Sequence, residues 1–343
     1  MKSWVLKVPG TVPQFDIVEC EIPYPTGDCV LVKVAAVGVC HHDIAVMSGL
    51  LQRGVRKNLV LGHEVSGTVV EKGKNVEDIE IGAKVVASLV DFCGNCSNCL
   101  AGRDYRCVSG KGRGHGIDGG LTDYISVPER HLVQIDKGSD IIGASLYGCP
   151  IGVGIRALQD VVHIKSGDRV VIFGAGGGLG SHAVQIASSA GAQVMAFTSS
   201  PNKIEQLEHF GIESVFLLEQ EIDPSELVLS ATSDVGVDLI FNPIGGTVFR
   251  SAIKSLKLRG KMILAGDIQG HKPNVSMAEI IFRDASILGV VGADVDHICR
   301  AANMVSEEEI EPVVGATYKF SEIVEAYENV KSASIFGRVV LVP

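Results

Sequence analysis

From about residue 151 the chain settles into one rhythm. Apolar runs at Val170–Phe173, Val194–Thr198, Val215–Leu218, Leu239–Phe241, Met262–Ala265 and Ile287–Val291 alternate with stretches of helical periodicity, among them "SHAVQIASSAG", "NKIEQLEHFG" and "TVFRSAIKSLKLRG". Six buried strands joined by helices require a parallel sheet with right-handed crossovers. Before residue 150 the pattern differs: short β-like runs such as "VLVKVAAVGV", "VSGTVVEKG", "AKVVASLV" and "LTDYISV" are cut by Gly, Pro and Asp. These predict a small barrel or sandwich. After about residue 293 a helix ("EIVEAYENV") and a last strand ("GRVVLVP") follow. An α/β chain of two domains is the expectation, and 343 residues suffice for both cores.

Composition excludes several classes. A net charge of −10 argues against nucleic-acid or anionic-membrane binding, because both need a basic face. With 46% hydrophobic and 20% charged residues the chain is ordinarily globular. No apolar run reaches membrane-spanning length and "MKSWVLKVPG" lacks a signal-peptide core, so a cytoplasmic protein is expected.

The first strand of the second half runs into "GAGGGLGSHAVQIA". Leu179 breaks G-x-G-x-x-G, but Gly174, Gly177 and Gly180 fit G-x-x-G-x-x-G, with Gly178 and Leu179 between the last two. A tight turn without side chains, opening a helix whose free amides face an anion, is a dinucleotide site. A purely structural strand–helix turn is the alternative. The second strand ends in Thr198, Ser199 and Ser200, with Lys203 just beyond, where an NAD site usually carries a carboxylate. Hydroxyls and an ammonium suit a 2′-phosphate, which favours NADP(H) over NAD(H). Ser200-Pro201 also suits a helix start.

Nine cysteines occur, four of them clustered in "CGNCSNCLAGRDYRC": Cys93, Cys96, Cys99 and Cys107. Four thiolates at this spacing satisfy tetrahedral zinc and leave no open position, so they describe a structural zinc site, an iron–sulfur cluster being the alternative.

Together with "GVCHHD", "GHEVSG", "GGLTDYISVP" and "GCPIG", these motifs resemble, in order and over essentially the whole length, the zinc-containing medium-chain alcohol dehydrogenases. The resemblance implies a GroES-like catalytic domain over 1–152 and 293–343, carrying the structural zinc lobe at about 91–109. It implies a Rossmann domain over 153–292. Cys40, His63 and Cys149 would bind a catalytic zinc in the cleft. Glu64 would be an alternate fourth ligand, or a carboxylate beside the metal during ligand exchange. Asp43 would orient His63. His41 and Arg338 would approach the cofactor pyrophosphate.

His42 departs from the pattern, since many relatives carry Ser or Thr there to pass the substrate proton outward. The histidine that often receives it is Ala45 here, and Val153 replaces a threonine common near the nicotinamide. His42 is therefore a candidate general acid–base. With the cysteine lobe, the resemblance implies two zinc ions per chain, a nicotinamide cofactor (NADP(H) rather than NAD(H) on the residues after the second strand), a small-molecule substrate and a homo-oligomer (dimer or tetramer). The leading function is reversible alcohol–carbonyl oxidoreduction. The alternative is reduction of activated C=C bonds such as enoyl or acryloyl thioesters, for which Arg53, Arg56 and Lys57 could meet an anionic substrate. The same three residues also fit a solvated basic turn. A redox-inactive nucleotide-binding relative is a third class.

Overall fold

The computed structural model describes every residue except 213, 220, 269 and 271. Two compact units emerge. The first comprises Met1–Gly152, Gly292–Ser306 and Pro312–Pro343, the second Val153–Val291 and Glu307–Glu311. Residues 307–311, expected with the first domain, cluster with the second. Gln185 explains this: its side-chain oxygen accepts from Glu311 N at 2.8 Å and its Nε2 donates to Glu311 O at 3.1 Å.

The first unit contains strands β1 (Lys2–Val8), β2 (Gln14–Glu19), β3 (Cys29–Gly38), β4 (Leu59–Val60), β5 (Glu64–Lys72), β6 (Lys84–Ala87), β7 (Val90–Asp91), β8 (Lys111–Gly112), β9 (Tyr124–Pro128) and β10 (Leu132–Ile135). The second contributes β11 (Arg169–Phe173), β12 (Gln193–Thr198), β13 (Ser214–Leu217), β14 (Val237–Asn242), β15 (Leu256–Leu264) and β16 (Ser286–Gly289). The chain then returns to the first unit with β17 (Val314–Lys319) and β18 (Arg338–Val342).

The larger sheet of the first unit runs β10-β6-β5-β3-β18-β17, with β9 also paired to β3, and a smaller one runs β2-β1-β4. Valines of β3 and β5 fill the interior, with Val30, Val32, Val34, Val65 and Val69 all 2% exposed or less. Antiparallel pairing of β3 with β5 ends by setting Gly38 opposite Glu64. Gly38 must be glycine, because a Cβ there would lie 2.0 Å from Glu64 Oε2. On the other side of β3, Val340 of β18 pairs with the same Gly38. The chain segments holding Cys40, His63 and Arg338 therefore converge at one sheet end.

The second unit is a fully parallel six-stranded sheet, β13-β12-β11-β14-β15-β16. Phe173, Phe197, Ile240 and Met262 are wholly buried in it, as expected for strands covered on both faces. One segment differs from the sequence expectation. The helical pattern "TVFRSAIKSLKLRG" ends as a helix at Ser255, and Leu256 begins a strand. Leu256 is drawn into the sheet opposite Val237 and is fully buried, which outweighs the helix propensity of the Leu-Lys-Leu-Arg run. No helix among the described residues is long and apolar enough to cross a membrane.

Candidate metal and dinucleotide sites

Cys40 caps the helix His41–Met47, and Asp43 closes the cap by accepting from Cys40 N at 3.0 Å. Asp43 is completely buried, and its other oxygen lies 3.2 Å from His63 Nδ1. One carboxylate thus fixes both the turn that presents Cys40 and the imidazole of His63. Burial would raise the Asp43 pKa, but His63 and His42 outweigh it and hold the carboxyl far below the usual range. With Nδ1 committed to Asp43, His63 offers Nε2. Cys40, His63, Glu64 and Cys149 each present a ligand atom within 4.8 Å of the others.

Cys149 arrives from the other side, on a π-helical turn, Tyr147–Ile151, that contains Pro150. Such turns favour functional positions because they break the regular helical ladder. Hydrogen bonding between the two sulfurs holds the Cys40 pKa down and pushes that of Cys149 up. Arg338 is 5% exposed and closes the cluster, donating to Glu64 at 2.5 and 3.1 Å, with Cys149 Sγ 3.7 Å away. Burial alone would lower its pKa, but Glu64 and the two cysteines raise it, so the guanidinium stays charged. The recorded partners of this residue, expected to meet a pyrophosphate, are a carboxylate and a thiol. His41 sits half-buried at the start of the same helix, where burial lowers its pKa.

His42 is bracketed by two imidazoles. Its ring centroid lies 5.2 Å from that of His63 and 5.1 Å from that of His115, and its Nδ1 is buried without a hydrogen bond. Sequence reasoning passed over His115. The signal was in "GRGHGIDGG": glycines there allow backbone to press on backbone, and a Cβ on Gly119 would lie 2.1 Å from Gly62 O. Gly62 precedes His63 and adopts φ +94°, so this loop is stacked directly on the cluster. His115 Nε2 lies 3.0 Å from the carbonyl of Arg53, to which it donates.

The four-cysteine lobe stands on the ribbon of β7 and β8. Its sulfur separations include 3.5 Å (Cys96–Cys99), 3.5 Å (Cys93–Cys107), 3.9 Å (Cys96–Cys107) and 4.0 Å (Cys93–Cys99). Sulfurs at about 2.3 Å from a tetrahedral zinc lie about 3.8 Å apart, so the donor set fits that ion and these are not disulfides. Beneath it, buried Arg113 donates to Asp91 at 2.6 Å, and His131 Nδ1 lies 3.3 Å from the same carboxylate. This network, also missed in the sequence, fixes the approach to Cys93.

In the second unit, Gly174 has φ +62°, and a Cβ on Gly180 would lie 2.1 Å from Gly174 O. Gly177 N donates to Gly174 O at 2.9 Å, and Leu179 caps the helix Gly180–Ser189. Gly178 O lies 2.6 Å from His182 Nδ1. Thr198 is buried at the tip of β12, its hydroxyl accepting from Ser200 N at 3.2 Å, while Ser199 is exposed. The stem of Lys203 crosses the glycine turn, since a Cβ on Gly176 would lie 2.5 Å from its Cδ. Lys203 is 4% exposed, and burial lowers its pKa to about 8. The Lys203 ammonium is thus buried, its stem lying over a glycine-rich turn, an arrangement that favours a nearby anion.

One β-rich unit holds two thiol-rich donor sets and the other, a parallel six-stranded unit, a glycine turn, the parts of a nicotinamide-dependent, zinc-type oxidoreductase. Residues 26–137 match the alcohol dehydrogenase GroES-like domain and residues 178–307 the zinc-binding dehydrogenase domain. The chain belongs to the zinc-type medium-chain dehydrogenase/reductase family. It is 28% identical to an acryloyl-coenzyme A reductase of Sulfurisphaera tokodaii over 98% of both chains. It is also 28% identical to an NAD-dependent alcohol dehydrogenase of Saccharolobus solfataricus, over 95% of both. The solved structure of an NAD-dependent alcohol dehydrogenase, 27% identical, superposes with a TM-score of 0.94 over 100% of both chains. A zinc-binding dehydrogenase of Sinorhizobium meliloti bound to NADP, also 27% identical, gives 0.87 over 100% of this chain and 99% of that one.

Proposed function

We propose that the protein transfers hydride between NADP(H) and a substrate whose oxygen is polarised by zinc, in the first instance an alcohol–carbonyl pair. The observation that carries this is the convergence of Cys40, His63, Glu64 and Cys149, with His63 Nε2 left available by Asp43. Zinc held there supplies Lewis acidity toward a substrate oxygen, and the four-cysteine lobe holds a second, structural zinc. Asp43 keeps the His63 tautomer fixed. Arg338 balances the Glu64 carboxylate, which would otherwise stand as an uncompensated buried charge. His42, next to His63, gives or takes the substrate proton. Lys203 and the hydroxyls after β12 support the choice of NADP(H), and no carboxylate opposes the 2′-phosphate at that strand tip.

A second substrate class is favoured by position 42 itself. With histidine in place of a hydroxyl and Ala45 beyond it, the usual outward alcohol relay is missing, and a relative is named acryloyl-coenzyme A reductase. That reaction would add a hydride, drawn from NADPH, at the β carbon of an enoyl thioester and a proton, supplied by His42 or solvent water, at the α carbon, so that NADPH is oxidised by two electrons and the alkene reduced by two.

The test measures zinc content and NADPH oxidation on one panel of aldehydes, ketones and enoyl thioesters. Two zinc ions and turnover of at least one class are expected. Metal-replete protein that oxidises NADPH with none of them refutes the proposal.

A further inference from the structure

Cationic residues lie on the two chain segments that are fastened together at His115, beside His42. The segment 51–58 is strapped to the 113–118 loop by His115 Nε2 on Arg53 O (3.0 Å), Arg56 N on His115 O (2.9 Å) and Arg56 Nη1 on Asp118 (2.7 Å). Asp118 also accepts from Val60 N at 3.1 Å, and Leu51 N donates to Ala45 O at 2.9 Å, so the strap is held at both ends. Lys111 joins it: a Cβ on Gly116 would lie 3.5 Å from Lys111 Cβ and 3.8 Å from Gly54 O. Arg56 is neutralised by Asp118. Arg53, Lys57 and Lys111 are exposed, and no acidic partner is recorded for them among the described residues. In a chain of net charge −10, three exposed cations without an ion pair, on two segments fastened together, are a local excess of positive charge. The loop is also tied directly to the proposed acid–base residue, because the His115 ring that donates to Arg53 O packs 5.1 Å from that of His42.

We propose that Arg53, Lys57 and Lys111 bind the phosphate groups of the substrate's carrier, so that the enzyme takes acyl thioesters of a phosphate-bearing carrier of the coenzyme A type. This rests on the hydride-transfer function above and names the substrate class for its second form. Arg supplies a planar fork for phosphate oxygens and the two lysines supply point charges. His115 is a positioning residue: it fixes the loop through backbone contacts and leaves the Arg53 side chain to the ligand.

The experiment compares the zinc-loaded full chain with an Arg53→Ala/Lys57→Ala/Lys111→Ala variant. These side chains are exposed, so folding is checked simply by circular dichroism. Titration calorimetry with free coenzyme A should show binding that weakens about tenfold or more in the variant, as expected for losing several charge-assisted contacts. Reduction of an enoyl-coenzyme A should show KM raised by a similar factor and kcat within about twofold. The same enoyl group on N-acetylcysteamine, which lacks phosphate, should be reduced equally by both proteins, and NADPH affinity should be unchanged.

Failure of the parent protein to bind coenzyme A, equal affinity in the two proteins, or an equal loss on the phosphate-free ester overturns the proposal. Loss of NADPH affinity instead would assign the cations to the cofactor and also overturn it. If NADPH is oxidised with no substrate at all, the hydride-transfer function fails, while the calorimetry still decides the phosphate site.

Discussion

Replacing Arg338 with methionine removes the charge from a pair that is almost completely enclosed. Glu64 is 1% exposed and Arg338 5%, and the carboxylate accepts both of its side-chain hydrogen bonds from this guanidinium. Breaking a buried pair by deleting one partner costs about 3–5 kcal/mol, because the other charge is left without compensation. For a folding unit of about 200 residues, 1 kcal/mol corresponds to roughly 2–4 °C in Tm, so Arg338→Met should lower Tm by about 6–20 °C in metal-free protein. Adding Glu64→Gln removes the stranded charge and should recover more than half of that loss. Bound zinc also offsets the negative charge, so the Arg338→Met deficit should shrink when metal is restored. Thermal and urea unfolding followed by circular dichroism, with chelator and then with zinc, measure all three quantities as Tm and as free energy. A deficit below about 1 kcal/mol in the chelated single variant, or no recovery in the double variant, would show that the pair does not carry the stability argued for it.

Cys93→Ser should lower the zinc content by one ion per chain and destabilise the first unit, since a closed thiolate site contributes folding free energy; elemental analysis and thermal melts check this. His42→Ala should lower kcat by about 10²–10⁴-fold, the range of general acid–base catalysis, with zinc content and NADPH affinity retained. The Lys203 ammonium, whose pKa burial lowers to about 8, is charged below that value and neutral above it, and phosphate binding favours the charged form. The preference for NADPH over NADH should therefore decline as pH rises through and beyond about 8, and Lys203→Met should abolish both the preference and its pH dependence in fluorescence titrations. Asp104 is raised to about 6, first by burial and also by Asp294. Its unfolded form loses the proton near pH 4 and its folded form near pH 6, so stability falls as pH rises across that window. Asp104→Asn should consequently raise Tm at pH 7.5 and have little effect at pH 4.

The parallel sheet was plain in the sequence because its strands are buried on both faces and read as continuous apolar runs. The strand at Leu256 was not, because its short Leu-Lys-Leu-Arg stretch follows the helical segment without a Gly or Pro break and finds its partner only at Val237. The cysteine lobe declared itself by spacing that local geometry alone must obey. The residues that converge with Cys40 come from distant parts of the chain, and neither periodicity nor spacing ties them to it. Resemblance supplied Cys149 and Arg338, but not that the guanidinium is held by Glu64. His115 escaped notice because its role depends on Gly119 lying against Gly62, a tertiary contact with no local signature.

The four-cysteine lobe leaves and re-enters the body of the first unit through two paired positions, Val90 with Gly112 and Asp91 with Lys111. Chain ends that enter side by side as antiparallel neighbours are about 5 Å apart. The lobe is therefore an insertion whose two ends leave the body as neighbours, with Asp104 as a further contact through Val295 N. Excising residues 92–110 and joining the ends with a two-residue Asn-Gly turn would close a β-hairpin without moving either strand. The same junction is a graft point where a loop of another length could be installed, with Arg113, Asp91 and His131 already in place as its foundation.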